Sequence, residues 1–179
     1  MNFIDMLGAA ERQNASMLCV GLDPEPARFP HAWRGDAQRI YDFCAAIVDA
    51  TADLVVAFKP QIAYFAAHRA EEQLERLMAH MRVRAPQVPI ILDAKRGDIG
   101  STMDGYAEGW LTNGKTLEVD ALTVNGYLGI GALASTADLA TANGNGLLDL
   151  TDNLERLRSQ LRDIELQAET QIGTRMEAS

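Results

Sequence analysis

The sequence predicts an α/β fold in which parallel strands alternate with crossover helices. Two observations predict it. Short apolar runs, several of them β-branched, recur at intervals of about 30 to 37 residues, and apolar residues at helical spacing lie between them. Each run also ends in a polar or charged residue, at the end where parallel α/β folds place their chemistry. These features fit a (β/α) barrel and an open doubly wound sheet alike.

The predicted strands are MLCVGLD (17–23), LVVAFK (54–59), PIILD (89–93) and VDALTVN (119–125). Ile40, Phe43, Cys44, Ile47 and Val48 follow the i, i+3, i+4 rule of an amphipathic helix, as do Leu74, Leu77, Met78 and Met81. Met103, Tyr106 and Trp110 mark a third helix. Beyond residue 125 the style changes. NGYLGIGALASTADLATANGNG (125–146) is rich in Gly, Ala, Ser, Thr and Asn, the makeup of a loop or linker. Leu147, Leu150, Leu154, Leu157, Leu161, Ile164 and Ala168 then recur at steps of three and four, a heptad seam with charged outer faces. The expected organisation is a run of about four βα units, a partial (β/α) barrel, over 1–130, a linker over 131–146 and a coiled-coil-like helix over 147–179.

The 179 residues suffice for one domain with a real core. A net charge of -9 argues against broad binding to nucleic acid or acidic membranes, while leaving room for a small basic pocket. No stretch approaches the ~18 uninterrupted apolar residues of a membrane span. The opening MNFIDMLGAAERQ carries Asp5 and Glu11 and lacks a long apolar core, so no signal peptide is expected and the cytoplasm is the default location. Cys19 and Cys44 sit in apolar surroundings without CxxC spacing and are expected to be buried free thiols. His31, His68 and His80 share no metal-ligand spacing, and no metal or cofactor is expected. No GxGxxG or GxxxxGK[ST] phosphate loop is present.

The stretch that carries chemistry is ILDAKRGDIG (91–100). Alternation along a strand puts Asp93 and Lys95 on one side, and Asp98 follows Gly97, where the chain turns. Asp-x-Lys-x-x-Asp thus sets one ammonium between two carboxylates at a strand end, an arrangement that keeps the lysine protonated and able to deliver a proton to a carbanion. Asp23 and Lys59 close the first two strands, so five ionisable groups are expected to converge on one crevice.

Four pieces, LCVGLDPEPARFP (18–30), VVAFKPQIAYF (55–65), VPIILDAKRGDIGST (88–102) and VDALTVNGYLG (119–129), resemble the first half of the orotidine 5'-phosphate decarboxylase family, in its longer bacterial branch. The resemblance implies a (β/α) barrel, here incomplete with about four βα units, and cofactor-free decarboxylation of orotidine monophosphate to uridine monophosphate. It implies that Asp93 presses on the substrate carboxylate and holds Lys95, and that Lys95 protonates the C6 carbanion. It further implies that Asp98 and Thr102 reach across a homodimer interface, that Asp23 and Lys59 hold ribose hydroxyls, and that Asn125 contacts substrate. The chain departs from the family at Asn125-Gly126-Tyr127, where the family reads NPY, and has no equivalent of its phosphate-binding arginine. The run DNLERLRSQLRDIELQAETQIGTRME faintly resembles a helical stretch of chemotaxis-type sensor kinases. The alternative reading is a non-catalytic fusion or remnant whose C-terminal helix mediates assembly. A metal-dependent phosphosugar enzyme on a related barrel fits AFKPQ and DAKRGDIGST less well.

Overall fold

The structure is a computed structural model that describes residues 1–150. It opens with helix α1 (Phe3–Asn14), then runs β1 (Cys19–Leu22), α2 (Ile40–Thr51), β2 (Ala57–Pro60), α3 (Ile62–Ala67) and α4 (Glu71–Arg84). It continues with β3 (Ile91–Arg96), α5 (Gly100–Trp110), β4 (Ala121–Val124), α6 (Ala134–Asn143) and β5 (Gly146–Asp149). Every pairing is parallel: β1 with β2, β3 with β4, and β4 with β5. Bridges at Phe58–Ile90 and Gln61–Asp93 join β2 to β3. Strands therefore neighbour one another in chain order, which is the barrel sequence of strands. A doubly wound sheet would reverse order at a switch point.

All four predicted strands and all three predicted helices are present; β1, β2 and β4 are shorter than their apolar runs, while β3 starts later than its run and continues to Arg96. The outer faces of the strands form the main core with the helices. Leu22, Phe58, Leu92, Leu122 and Val124 pack with Ile40, Cys44, Val48, Leu74, Leu77, Met78, Met81 and Met103. Helix α4 has Glu71 and Glu72 in its first turn and Arg82 and Arg84 in its last, the arrangement that complements the helix dipole.

Residues 131–146, expected to be a linker, instead contain α6 and the start of β5. The error has a physical cause. Helix α6 buries Thr136 and Ala140, residues too small to draw an apolar stripe in the sequence, and it ends in the left-handed Gly144. Leu147, the first residue of the heptad seam, lies in β5, paired with Leu122. Residues 151–179, which carry the rest of the predicted coiled-coil helix, lie outside the described residues.

Helix α1 was not foreseen as part of the fold. Asn2 caps it by accepting from the Asp5 amide at 2.9 Å. Its Phe3, Leu7 and Ala10 pack on Val56, Ala57, Ile91 and Ala121, closing the N-terminal end of the sheet's inner face. Gly146 completes this floor, since a Cβ there would lie 2.5 Å from the Phe3 ring. Phe3 is buried, a placement that contributes roughly 1.5–3 kcal/mol for a side chain of its kind.

Among the described residues β1 pairs with β2 alone and β5 with β4 alone, so the sheet has two open edges. This corrects the expectation for Cys19. Val20 and Leu22 face the helices, so alternation turns Cys19 and Gly21 to the inner side of an edge strand, where both are exposed. Cys44 is buried, as expected, and both thiols are free. No helix among the described residues is long and apolar enough to cross a membrane.

Candidate active site

Two residues further along β2, β3 and β4, the inner face turns from apolar to polar or charged. Ala57 is followed by Lys59, Ile91 by Asp93 and Ala121 by Thr123. The focus is the Asp93 carboxylate, which is 5% exposed. Its Oδ2 accepts from Lys59 Nζ at 2.8 Å and from Gln61 Nε2 at 3.1 Å. Its Oδ1 accepts from Lys95 Nζ at 2.5 Å and from Thr123 Oγ1 at 2.9 Å. Two ammonium groups thus clasp one buried carboxylate, and two neutral donors complete its shell.

Electrostatics follow from this geometry. Burial alone pushes the Asp93 carboxyl up, but hydrogen bonds from Lys59, Lys95 and Thr123 outweigh it and hold the group below its ordinary value. Burial lowers Lys59, yet its hydrogen bond to Asp93 and the charges of Asp93 and Asp23 hold it above the ordinary lysine value. Asp93 is therefore ionised and Lys59 protonated near neutral pH. Burial raises the Cys19 thiol, opposed by the charge of Lys59. Burial also pushes Cys44 up to about 12, away from the site.

The backbone that aims Lys95 is unusual. Leu92 pairs with Leu122 and Arg96 with Val124, so Asp93, Ala94 and Lys95 face Thr123 across a bulge. Lys95 adopts φ +50°, a left-handed conformation that costs a side-chain-bearing residue about 1–2 kcal/mol. Gly97 follows because a Cβ there would overlap the Asn125 carbonyl, while the Asn125 amide donates to Arg96 O at 2.7 Å. Backbone strain of this kind concentrates at functional sites, which makes Lys95 and its buried carboxylate partner the candidate site.

The predicted residues divide into two groups. Asp93, Lys95 and Lys59 meet, and Asp23 is exposed at the end of β1 with its charge felt by Lys59. Asp98, expected to flank Lys95 from its far side, does not reach it within the chain. Its Oδ1 accepts instead from the Ile99 amide at 2.7 Å, because the turn at Lys95 to Gly97 carries it into the loop before α5. Thr102 is exposed on the first turn of α5. Asn125 spends its Oδ1 on the Tyr127 amide at 3.0 Å, capping a short turn. Sequence reasoning missed Gln61 and Thr123. Thr123 carried a signal, being the one hydroxyl in the apolar run ALTV; Gln61 stood in AFKPQ with nothing to set it apart.

Among the described residues no three or more metal-ligating side chains gather into a cluster. A cavity of about 500 Å³ lies at the other end of the sheet, beside β5 and the start of α1, lined by Phe3, Thr141, Gly146 and Leu148 among others. It contains none of the residues around Asp93.

Chain-ordered parallel strands and a lysine–carboxylate–lysine centre at their carboxyl ends define a partial barrel of the α/β class with its candidate site on the inner rim. More particularly, the chain belongs to the family described as Orotidine 5'-phosphate decarboxylase / HUMPS, whose model matches residues 16–171. That match continues past Leu150 into the stretch read from sequence as a foreign helix. An orotidine 5'-phosphate decarboxylase of Polaromonas naphthalenivorans is 73% identical over 134 residues, covering 75% of this chain and 46% of the relative. One from Albidiferax ferrireducens is 69% identical over 133 residues, covering 74% of this chain and 45% of the relative. The solved OMP decarboxylase of Leishmania donovani superposes with a TM-score of 0.67 at 28% identity, covering 83% of this chain and 53% of that one. The chain spans about half the length of the curated relatives it matches.

Proposed function

We propose that this chain contributes the catalytic half of an orotidine 5'-phosphate decarboxylase site, in which Lys95 protonates C6 as carbon dioxide leaves. The observation that carries the reading is the buried Asp93 carboxylate held between Lys59 and Lys95. Loss of carbon dioxide leaves an electron pair on C6, and that pair takes a proton from the Lys95 ammonium. A fixed positive charge where negative charge develops is the largest stabilisation a protein can offer such a step. An ionised Asp93 beside the substrate carboxylate disfavours the bound acid and not the departing neutral carbon dioxide. The reading gives the ribose hydroxyls to Asp23 and Lys59, at the ends of β1 and β2, and a substrate contact to Asn125, at the end of β4.

Homo-oligomerisation is part of the proposal. Asp98 and Thr102 stand apart from the Asp93 cluster of their own chain and are available to complete the site of a second copy. A cytoplasmic setting is supported by the free thiols of Cys19 and Cys44. A second reading, a non-catalytic assembly partner, is favoured by the edges of β1 and β5, which are open among the described residues.

The test is uridine 5'-phosphate formation from orotidine 5'-phosphate, with Lys95→Ala as control. Turnover by the chain that falls about 10²–10⁴-fold in the variant is the expected result. A folded chain without turnover, or equal turnover in the variant, overturns the reading.

A further inference from the structure

The residue that holds the Asp93–Lys95 pair in shape is on the neighbouring strand. We infer that Thr123 is a positioning residue, its single hydroxyl fixing both the Asp93 carboxylate and the Lys95 backbone. The inference rests on the decarboxylase reading for its catalytic meaning and on geometry for everything else.

Between Leu92 and Arg96 strand β3 inserts three residues where β4 offers only Thr123. A bulge of this kind leaves backbone donors without their ladder partners. The Lys95 amide is such a donor, and the Thr123 hydroxyl oxygen accepts it at 2.9 Å. The same hydroxyl donates its proton to Asp93 Oδ1 at 2.9 Å, the Leu92 carbonyl lying farther off at 3.5 Å. A hydroxyl is the one small group that can donate to a carboxylate while accepting from an amide. Valine has the same shape without either function, and serine has both functions without the methyl.

Thr123 is 5% exposed, so water cannot readily replace it. Without the hydroxyl, the left-handed Lys95 loses the hydrogen bond that offsets its strain, and Asp93 loses one of four donors. The other groups acting on Asp93 are Lys59 and Gln61 from the end of β2, Lys95 of its own strand and the Cys19 thiol of β1. None of them touches the Lys95 amide. Among the described residues Thr123 alone couples the position of the carboxylate to the direction in which the lysine leaves the backbone.

The experiment is a ¹³C NMR titration of the Asp93 carboxyl, assigned through Asp93→Asn, in the unaltered chain, Thr123→Val and Thr123→Ser. The expected result is a midpoint about one pH unit higher in Thr123→Val and restored in Thr123→Ser, since a hydrogen bond to the charged form lowers a carboxyl pKa. A Thr123→Val midpoint equal to that of the unaltered chain overturns the inference. Should the valine variant not fold, hydrogen exchange at the Lys95 amide of the unaltered chain decides it. Slow exchange supports the assigned bond, and exchange at the rate of an open loop overturns it. Neither readout requires turnover, so a chain that makes no uridine 5'-phosphate removes the decarboxylase reading and leaves this test intact.

Discussion

The two ends of the sheet's inner face lie two residues apart along each strand and are built on opposite principles. At the N-terminal end, Ala57, Ile91, Ala121 and Gly146 are small or apolar, and Phe3 of α1 fills the space they leave. At the C-terminal end, Lys59, Asp93, Lys95 and Thr123 form a charged network around a bulge and a strained lysine. The first end is an apolar layer, and none of its inner-facing strand residues adopts a left-handed backbone. The second accepts backbone strain and a buried carboxylate in return for aimed proton donors. Alternation makes such closeness possible, because each strand offers a new inner residue every second position.

The comparison can be broken from either end. The largest expected effect is at the charged end. Lys95→Ala lowers decarboxylation about 10²–10⁴-fold, while costing about 1–3 kcal/mol of stability, because Lys59, Gln61 and Thr123 still satisfy Asp93. Turnover and urea denaturation, measured on the same preparation, check both halves of that statement. Phe3→Ala produces the reverse pattern. It costs about 3–5 kcal/mol of stability through the cavity left under Ile91 and Gly146, and the fraction that remains folded turns over at the unaltered rate. A smaller effect sharpens the account of strain. Lys95→Gly is more stable than Lys95→Ala by about 1 kcal/mol, since both remove the side chain and glycine alone fits φ +50° without penalty. Equal denaturation midpoints for these two variants contradict the left-handed bulge.

Much of the charged end was legible in the sequence, because strand periodicity fixes which residues share a face. Alternation put Asp93 and Lys95 on one side, the position of Lys59 at the end of its strand brought it to them, and the three meet. Asp98 was read as a second acid on Lys95, and within the chain it is not, because Lys95 leaves the extended conformation and Gly97 packs on the Asn125 backbone. No pattern of residue types announces a left-handed lysine. Thr123 stood in plain view as a hydroxyl inside a buried strand, but its role depends on a bulge across from it. The packed end was less legible. Helix α6 and Gly146 read as a linker, and the rest of β5 as the start of a heptad helix, because Thr136, Ala140 and Gly146 bury little apolar surface of their own. They are small for the reason that makes them structural: something else, Phe3 in the case of Gly146, already occupies the space.

Cys19 teaches the same lesson from an edge. An apolar neighbourhood in sequence predicts burial only when both faces of the strand are covered, and β1 has its inner side open among the described residues.

The most direct test of the central claim is a crystal structure of the chain with uridine 5'-phosphate bound. The account predicts the pyrimidine C6 within about 3.5 Å of Lys95 Nζ, with Asp93 still joined to both lysines and ribose hydroxyls near Asp23 and Lys59. A nucleotide bound away from the strand ends, or a pyrimidine whose C6 faces away from Lys95 with the Asp93–Lys95 pair intact, contradicts it.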